Sequence, residues 1–82
     1  MKLHYYPETD SLYIDLLDEA ATESSEIAPD IVADYNAAGA VVGIGIDLAS
    51  TKIDLSTVEI RELPNVRVLS GPRSLESVKA SA

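Results

Sequence analysis

Between Tyr5 and Leu48 apolar residues recur at alternate positions in short runs, and the runs are separated by turns rich in Pro, Asp, Asn and Gly. A period of two sends successive side chains to opposite faces of an extended chain, so this stretch is constrained to short β-strands joined by tight turns. The clearest instance is residues 30–35, the turn Asn36-Ala-Ala-Gly39, and residues 40–48, which together read as a β-hairpin. Such a pattern specifies a fold without specifying chemistry.

Along the chain, residues 2–6 form a first expected strand, with Leu3 and Tyr5 on one face and His4 and Tyr6 on the other. Pro7 to Asp10 is a turn, because Pro presets φ and Asp stabilises the reversal. Residues 11–18 are a second strand with Leu12, Ile14 and Leu16 directed to the core. Residues 22–28 are weakly patterned and acidic, which suits a sheet edge where charge discourages further pairing. Pro29 breaks that run, and residues 30–35 and 40–48 are the fourth and fifth strands, with Gly39 where a positive φ is needed.

In the fifth strand Val42, Ile44, Ile46 and Leu48 share one face, while Val41, Gly43, Gly45 and Asp47 share the other. Gly43 and Gly45 strip side chains from a patch of that second face, so a helix or a partner subunit is expected to pack there. Residues 49–53 fit one helical turn capped by Ser50. Residues 56–59 match a capping box, yet Val58 and Ile60 alternate with Glu59 and Arg61, so 55–62 reads as either helix or strand, with a narrow preference for strand. Residues 65–69 are a candidate last strand, and 74–82 are too short for a stable isolated helix.

The expected architecture is therefore mostly β, bordering on α+β: an antiparallel meander of about six short strands with one short helical element. Residues 1–63 make the β-rich domain, and 64–82 form a C-terminal tail available as an extra strand or clamp.

A chain of 82 residues without cysteine has a single small core and no disulfide to reinforce it, which makes a homodimer the expected form. Apolar residues on both faces of several strands point the same way. The formal net charge is −8. Thirteen carboxylates against Lys2, Lys52 and Arg61 leave residues 1–63 near −10, whereas Arg67, Arg73 and Lys79 against Glu76 leave the tail near +2. That field repels phosphates and anionic lipid, so nucleic acid and membrane are not expected partners, and a small basic protein is. No apolar run approaches the ~18 residues of a membrane helix, and residues 1–7 lack a signal-peptide core, so a cytoplasmic location is expected.

The blocks Tyr5-Tyr-Pro-Glu-Thr-Asp-Ser-Leu-Tyr-Ile14, Asp30-Ile-Val-Ala-Asp-Tyr35, Gly39-Ala-Val-Val-Gly-Ile-Gly-Ile46, Ala49-Ser50 and Asp54-Leu-Ser56 resemble, in their order, a family of small bacterial proteins termed domain of unknown function 2283. The resemblance spans residues 3–63. It implies a small β-rich protein, and for part of the family an antitoxin role beside small basic proteins. One departure is Gly45, where the family pattern usually carries Glu. The shared blocks are turn and core positions, so the resemblance transfers no catalytic residue.

Candidate chemistry is sparse. His4 is the only histidine, which with no cysteine excludes a Cys/His zinc site of the usual kind and thiolate catalysis. Asp15 with Asp18, or Asp30 with Asp34, are carboxylate pairs that a sheet could bring together, but nothing in the pattern buries one as a general acid. Gly43-Ile-Gly45 lacks the third glycine and the Gly-Lys-Ser/Thr of phosphate loops. Tyrosine supplies all the aromatic content and suits interfaces, so Tyr6, Tyr13, Gly43 and Gly45 are the expected interface residues. No catalytic, cofactor or metal residue is assigned. The primary functional expectation is a non-enzymatic, acidic protein-interaction module; the alternative is a small-ligand or cation-binding protein, or weak enzyme, using clustered carboxylates.

Overall fold

A computed structural model describes residues 1–71. Five strands form one antiparallel sheet, β1 (Lys2–Tyr6), β2 (Ser11–Asp15), β3 (Glu23–Ala28), β4 (Ile31–Tyr35) and β5 (Val41–Ile46), followed by the single-turn helix α1 (Ala49–Lys52). Their spatial order is β1-β2-β5-β4-β3. The mostly β class with one short helical element is thus as expected. The path is not a plain meander, because the chain leaves β2, runs along the end of the sheet and enters at the far edge as β3. This is a Greek-key return. Hydrogen bonds from the amides of Leu16 and Leu17 to the Val42 carbonyl (2.8 and 3.2 Å) and from the Thr22 amide to the Tyr35 carbonyl (2.8 Å) tie that connection down.

The turns follow their residues. Asn36 Oδ1 accepts from the amides of Ala38 (3.0 Å) and Ala40 (2.9 Å), and Gly39 takes the positive φ of 87° that completes the β4–β5 hairpin. Asp10 and Asp30 end the other two hairpin turns in the left-handed region, φ 52° and 63°. Asp tolerates that conformation better than most residues.

Register places Leu3, Leu12, Ile14, Ile31, Ala33, Ile44 and Ile46 on one face, with Tyr5 beside them. The core is on this face: Leu12, Ile46 and Ala49 are buried together, with Ile14, Ile31, Ile44 and Ile53 packed around them. Ala49 is fully buried, so α1 lies close against the sheet. The core is small: among the described residues, the buried hydrophobic side chains apart from these are Ala33 and Val42.

α1 has no side-chain cap of its own, and its N-cap residue is Leu48 in a left-handed conformation rather than Ser50. Asp10 supplies the cap from the β1–β2 turn. Its carbonyl accepts from the Ala49 amide (2.8 Å) and its carboxylate from the Ser50 amide (3.1 Å) and hydroxyl (2.6 Å). On the other flank the Asp30 carbonyl accepts from the Asp47 amide (2.8 Å), and its carboxylate pairs with Lys52 (3.3 Å). The β5–α1 corner is therefore clamped between two hairpin turns by two aspartates.

Residues 56–61 and 65–69 are neither helix nor strand. Left-handed Glu62 (φ 59°) and Asn65 (φ 54°) interrupt the run on either side of Pro64, and no ladder forms with a neighbour. The expected strands there are not present, and the possible extra strand or clamp from residues 72–82 lies outside the described residues.

Candidate functional site

The two faces of the sheet offer different chemistry. On the face opposite the core, register sets Lys2, Asp15, Gly43, Asp34 and Ser24 in one row across five strands. Tyr13 leans over Gly43 in that row, and its hydroxyl donates to Asp34 Oδ2 at 2.7 Å while Ser24 donates to Asp34 Oδ1 at 2.6 Å. The bond to the Asp34 carboxylate, then partial burial and the nearby charges of Asp34 and Asp15, push the Tyr13 phenol up to about 12. A phenol held this firmly in its neutral form is a structural donor rather than a base.

The glycines are explained by this tyrosine. A Cβ on Gly43 would overlap the Tyr13 hydroxyl, and one on Gly45 would sit 3.7 Å from its ring, so the space they leave is filled from within the chain. Among the described residues it is Tyr13, and not a helix, that lies over them. Tyr13, Gly43 and Gly45 do come together; Tyr6 lies on the same face, exposed and stacked on His4 with ring centroids 4.4 Å apart.

The carboxylate pairs are also rearranged. Asp30 faces Lys52 at the hairpin turn and Asp34 faces Tyr13 and Ser24, so they serve separate partners. Asp15 and Asp34 share a row instead, flanking Gly43. That pairing depends on both strands being registered against β5, which no local spacing reveals.

At the sheet end, Tyr5 donates to Asp10 Oδ1 at 2.8 Å. Hydrogen bonds from Ser50 and then Tyr5 hold the Asp10 carboxyl below its ordinary range, and the same bond to Asp10 raises the Tyr5 phenol. Asp54 is lowered by the Ser56 hydroxyl and amide. Both carboxylates are stabilised as anions. Among the described residues no three His, Cys, Asp or Glu side chains are grouped to hold a metal ion, and no helix is long and apolar enough to cross a membrane.

The core face carries the more distinctive surface. Beyond α1 the chain folds back over β1 and β2, leaving an open cleft of about 640 Å³. Leu3, Leu12 and Ile14 form its floor, and Ile53, Leu55 and Val58 its opposite wall. Asp54, Thr57 and Tyr5 supply its polar atoms. Leu3 and Val58 are 51% and 68% exposed, and Ile60 and Leu63 continue the exposed apolar surface. Sequence periodicity identified Leu12 and Ile14 as core-side residues but gave no sign that the covering segment stands off them.

A single Greek-key sheet with one helical turn, an apolar cleft on the core face and a tyrosine-bridged polar row on the other defines a small antiparallel β domain. Residues 2–50 match the family described as a protein of unknown function (DUF2283), and the chain belongs to that family. The match covers all five strands and ends inside α1, so the floor of the cleft belongs to the family domain and its outer wall lies beyond the match. No curated protein and no solved structure matches the chain.

Proposed function

We propose that this protein is a non-enzymatic, cytoplasmic interaction module that binds a small basic protein, in the manner of an antitoxin. The observation that carries the reading is the apolar cleft between β1–β2 and residues 53–58, open to solvent on a chain of net charge −8. Apolar side chains of the partner enter the cleft, and its Lys and Arg residues meet Asp54 at the cleft and the net negative charge of the chain. The competing reading, a carboxylate-based ligand site or weak enzyme, calls for a carboxyl group raised toward neutrality. Asp10 and Asp54 are shifted the other way.

The test is affinity capture from native lysate at low and high salt, identification of the retained protein, and titration of that protein, purified, against wild type and Val58→Asp. Val58 is exposed, so the substitution is compatible with folding. A single basic protein released by salt, and bound roughly tenfold more weakly by the variant, supports the reading. An empty column at both salts, or a partner indifferent to Val58→Asp, refutes it.

A further inference from the structure

The two edges of the sheet are built differently. β3 is acidic, carrying Glu23 and Glu26, and its register shifts between Glu26 and Ala28, so a bulge breaks the edge that it would present to another strand. Both are devices that block edge pairing. β1 has neither: its five residues pair with β2 in unbroken register, all are exposed, and its only charged residue is Lys2. In an antiparallel pair one strand's amides and carbonyls point alternately toward and away from its neighbour, so half of the ladder groups of β1 face outward. Among the described residues no hydrogen bond reaches that outer edge, and residues 60–69 stand off its first part across a cleft of about 550 Å³.

We propose that β1 is a homodimer interface, at which two copies pair antiparallel, edge to edge, about a two-fold axis through His4. The argument for a second copy is self-complementarity. With the axis at His4, Lys2 falls opposite Tyr6 of the other copy and Leu3 opposite Tyr5, so an apolar residue meets an aromatic one on the core face and no carboxylate enters the ladder. Head-to-tail pairing of β1 with β3, which would propagate into an open ribbon, is blocked by the bulge and the acidic row. Closure through β1 alone consumes the bare edge and leaves the acidic edges outermost. It also joins the two core faces, whose individual cores bury only a few apolar residues. The proposal goes beyond the basic-partner reading and does not depend on it.

The axis position makes the test specific. His4 is exposed in the single chain, so His4→Glu and His4→Lys are tolerated by the fold, yet each sets like charges against one another across the axis. Sedimentation equilibrium of the full chain is expected to give about twice 8.7 kDa for wild type. Each variant alone should dissociate with a Kd raised about fivefold, and an equimolar mixture of the two should recover wild-type association or better. Hydrogen exchange supplies a readout free of substitutions: all five β1 amides are protected in the dimer, whereas pairing with β2 alone protects alternate ones. A wild-type chain that remains at 8.7 kDa at every concentration overturns the proposal, and so does a dimer indifferent to both charges or to their mixing. Neither result bears on capture of a basic protein at the cleft.

Discussion

Replacing Gly43 by alanine is expected to destabilise the fold through one side chain, Tyr13. Gly43 has no positive φ, so the backbone there suits any residue, and the obstacle is space: the new methyl carbon would lie 2.5 Å from Tyr13 Cζ and overlap its hydroxyl. The ring must swing outward and release the 2.7 Å bond to Asp34. A hydrogen bond to a carboxylate contributes ~1.5–3 kcal/mol when buried, and about 1 kcal/mol at this half-buried site. Uncovering on the order of 40 Å² of ring at ~25 cal/mol per Å² adds about 1 kcal/mol. The lower unfolded-state entropy of alanine returns ~0.5 kcal/mol, leaving a net cost of about 1.5 kcal/mol, or roughly 6–12 °C in Tm. Urea unfolding of wild type, Gly43→Ala, Tyr13→Ala and the double variant separates the causes. In the Tyr13→Ala background the clash is gone, and Gly43→Ala should become neutral or stabilising. A cost of similar size in both backgrounds would refute the reasoning, because it would place the need for glycine in the backbone.

The raised phenol of Tyr13 predicts alkaline sensitivity. Its folded value of about 12 lies above the ordinary 10.0, so the stabilisation is complete below pH 10 and is lost as pH rises through 12, when the unfolded chain releases the proton first. Urea midpoints across that window should fall in wild type and fall less in Tyr13→Phe. For Asp10 the sign is opposite: its lowered carboxyl stabilises the fold above the ordinary value of 3.8, and that contribution disappears as pH drops through the folded value. Asp10→Ala removes the cap in trans and places alanine in the left-handed region, so its melting temperature should fall below that of wild type. Asp10→Asn tolerates the backbone and should lose less, measured by thermal melts at neutral pH.

Strand identity was legible because alternation is local. Leu12 and Ile14, or Ile44 and Ile46, declare a buried face within a few residues, and Gly39 and Asn36 declare their turn. Strand order was not, since the antiparallel hairpins satisfy the same periodicity whether β3 lies beside β2 or crosses to the far edge. The Asp10 cap shows the same boundary. Ser50 carries the local signature of a helix cap, but the group that satisfies the helix start stands forty residues away and needs the β1–β2 turn folded against α1. The role of Tyr13 was hidden for a related reason, because it becomes the occupant of the glycine patch only once β2 is registered against β5. At the cleft, Val58 and Ile60 alternate as a strand would, yet Pro64 and left-handed Glu62 and Asn65 prevent the ladder that would have used them.

The acidic charge now divides by function without being diminished. Asp10, Asp30, Asp34, Asp47 and Asp54 all make bonds inside the chain, to Ser50 and Tyr5, Lys52, Tyr13 and Ser24, Ser11, and Ser56 respectively. Of these contacts only that of Asp30 with Lys52 brings in an opposite charge. The others are to hydroxyls and amides, which stabilise a carboxylate as an anion without cancelling it, so the aspartates that build the sheet ends also maintain the long-range field. The two roles differ in range. Internal hydrogen bonds act at contact distance and are little affected by salt, whereas attraction of a basic protein acts over a Debye length of ~8 Å and is screened. Added salt should therefore release a partner at concentrations that leave the fold intact. A chain that unfolded at the salt concentration that released the proposed partner would show that attractions between opposite charges, such as Asp30 with Lys52, rather than the hydrogen bonds of the carboxylates, govern the architecture.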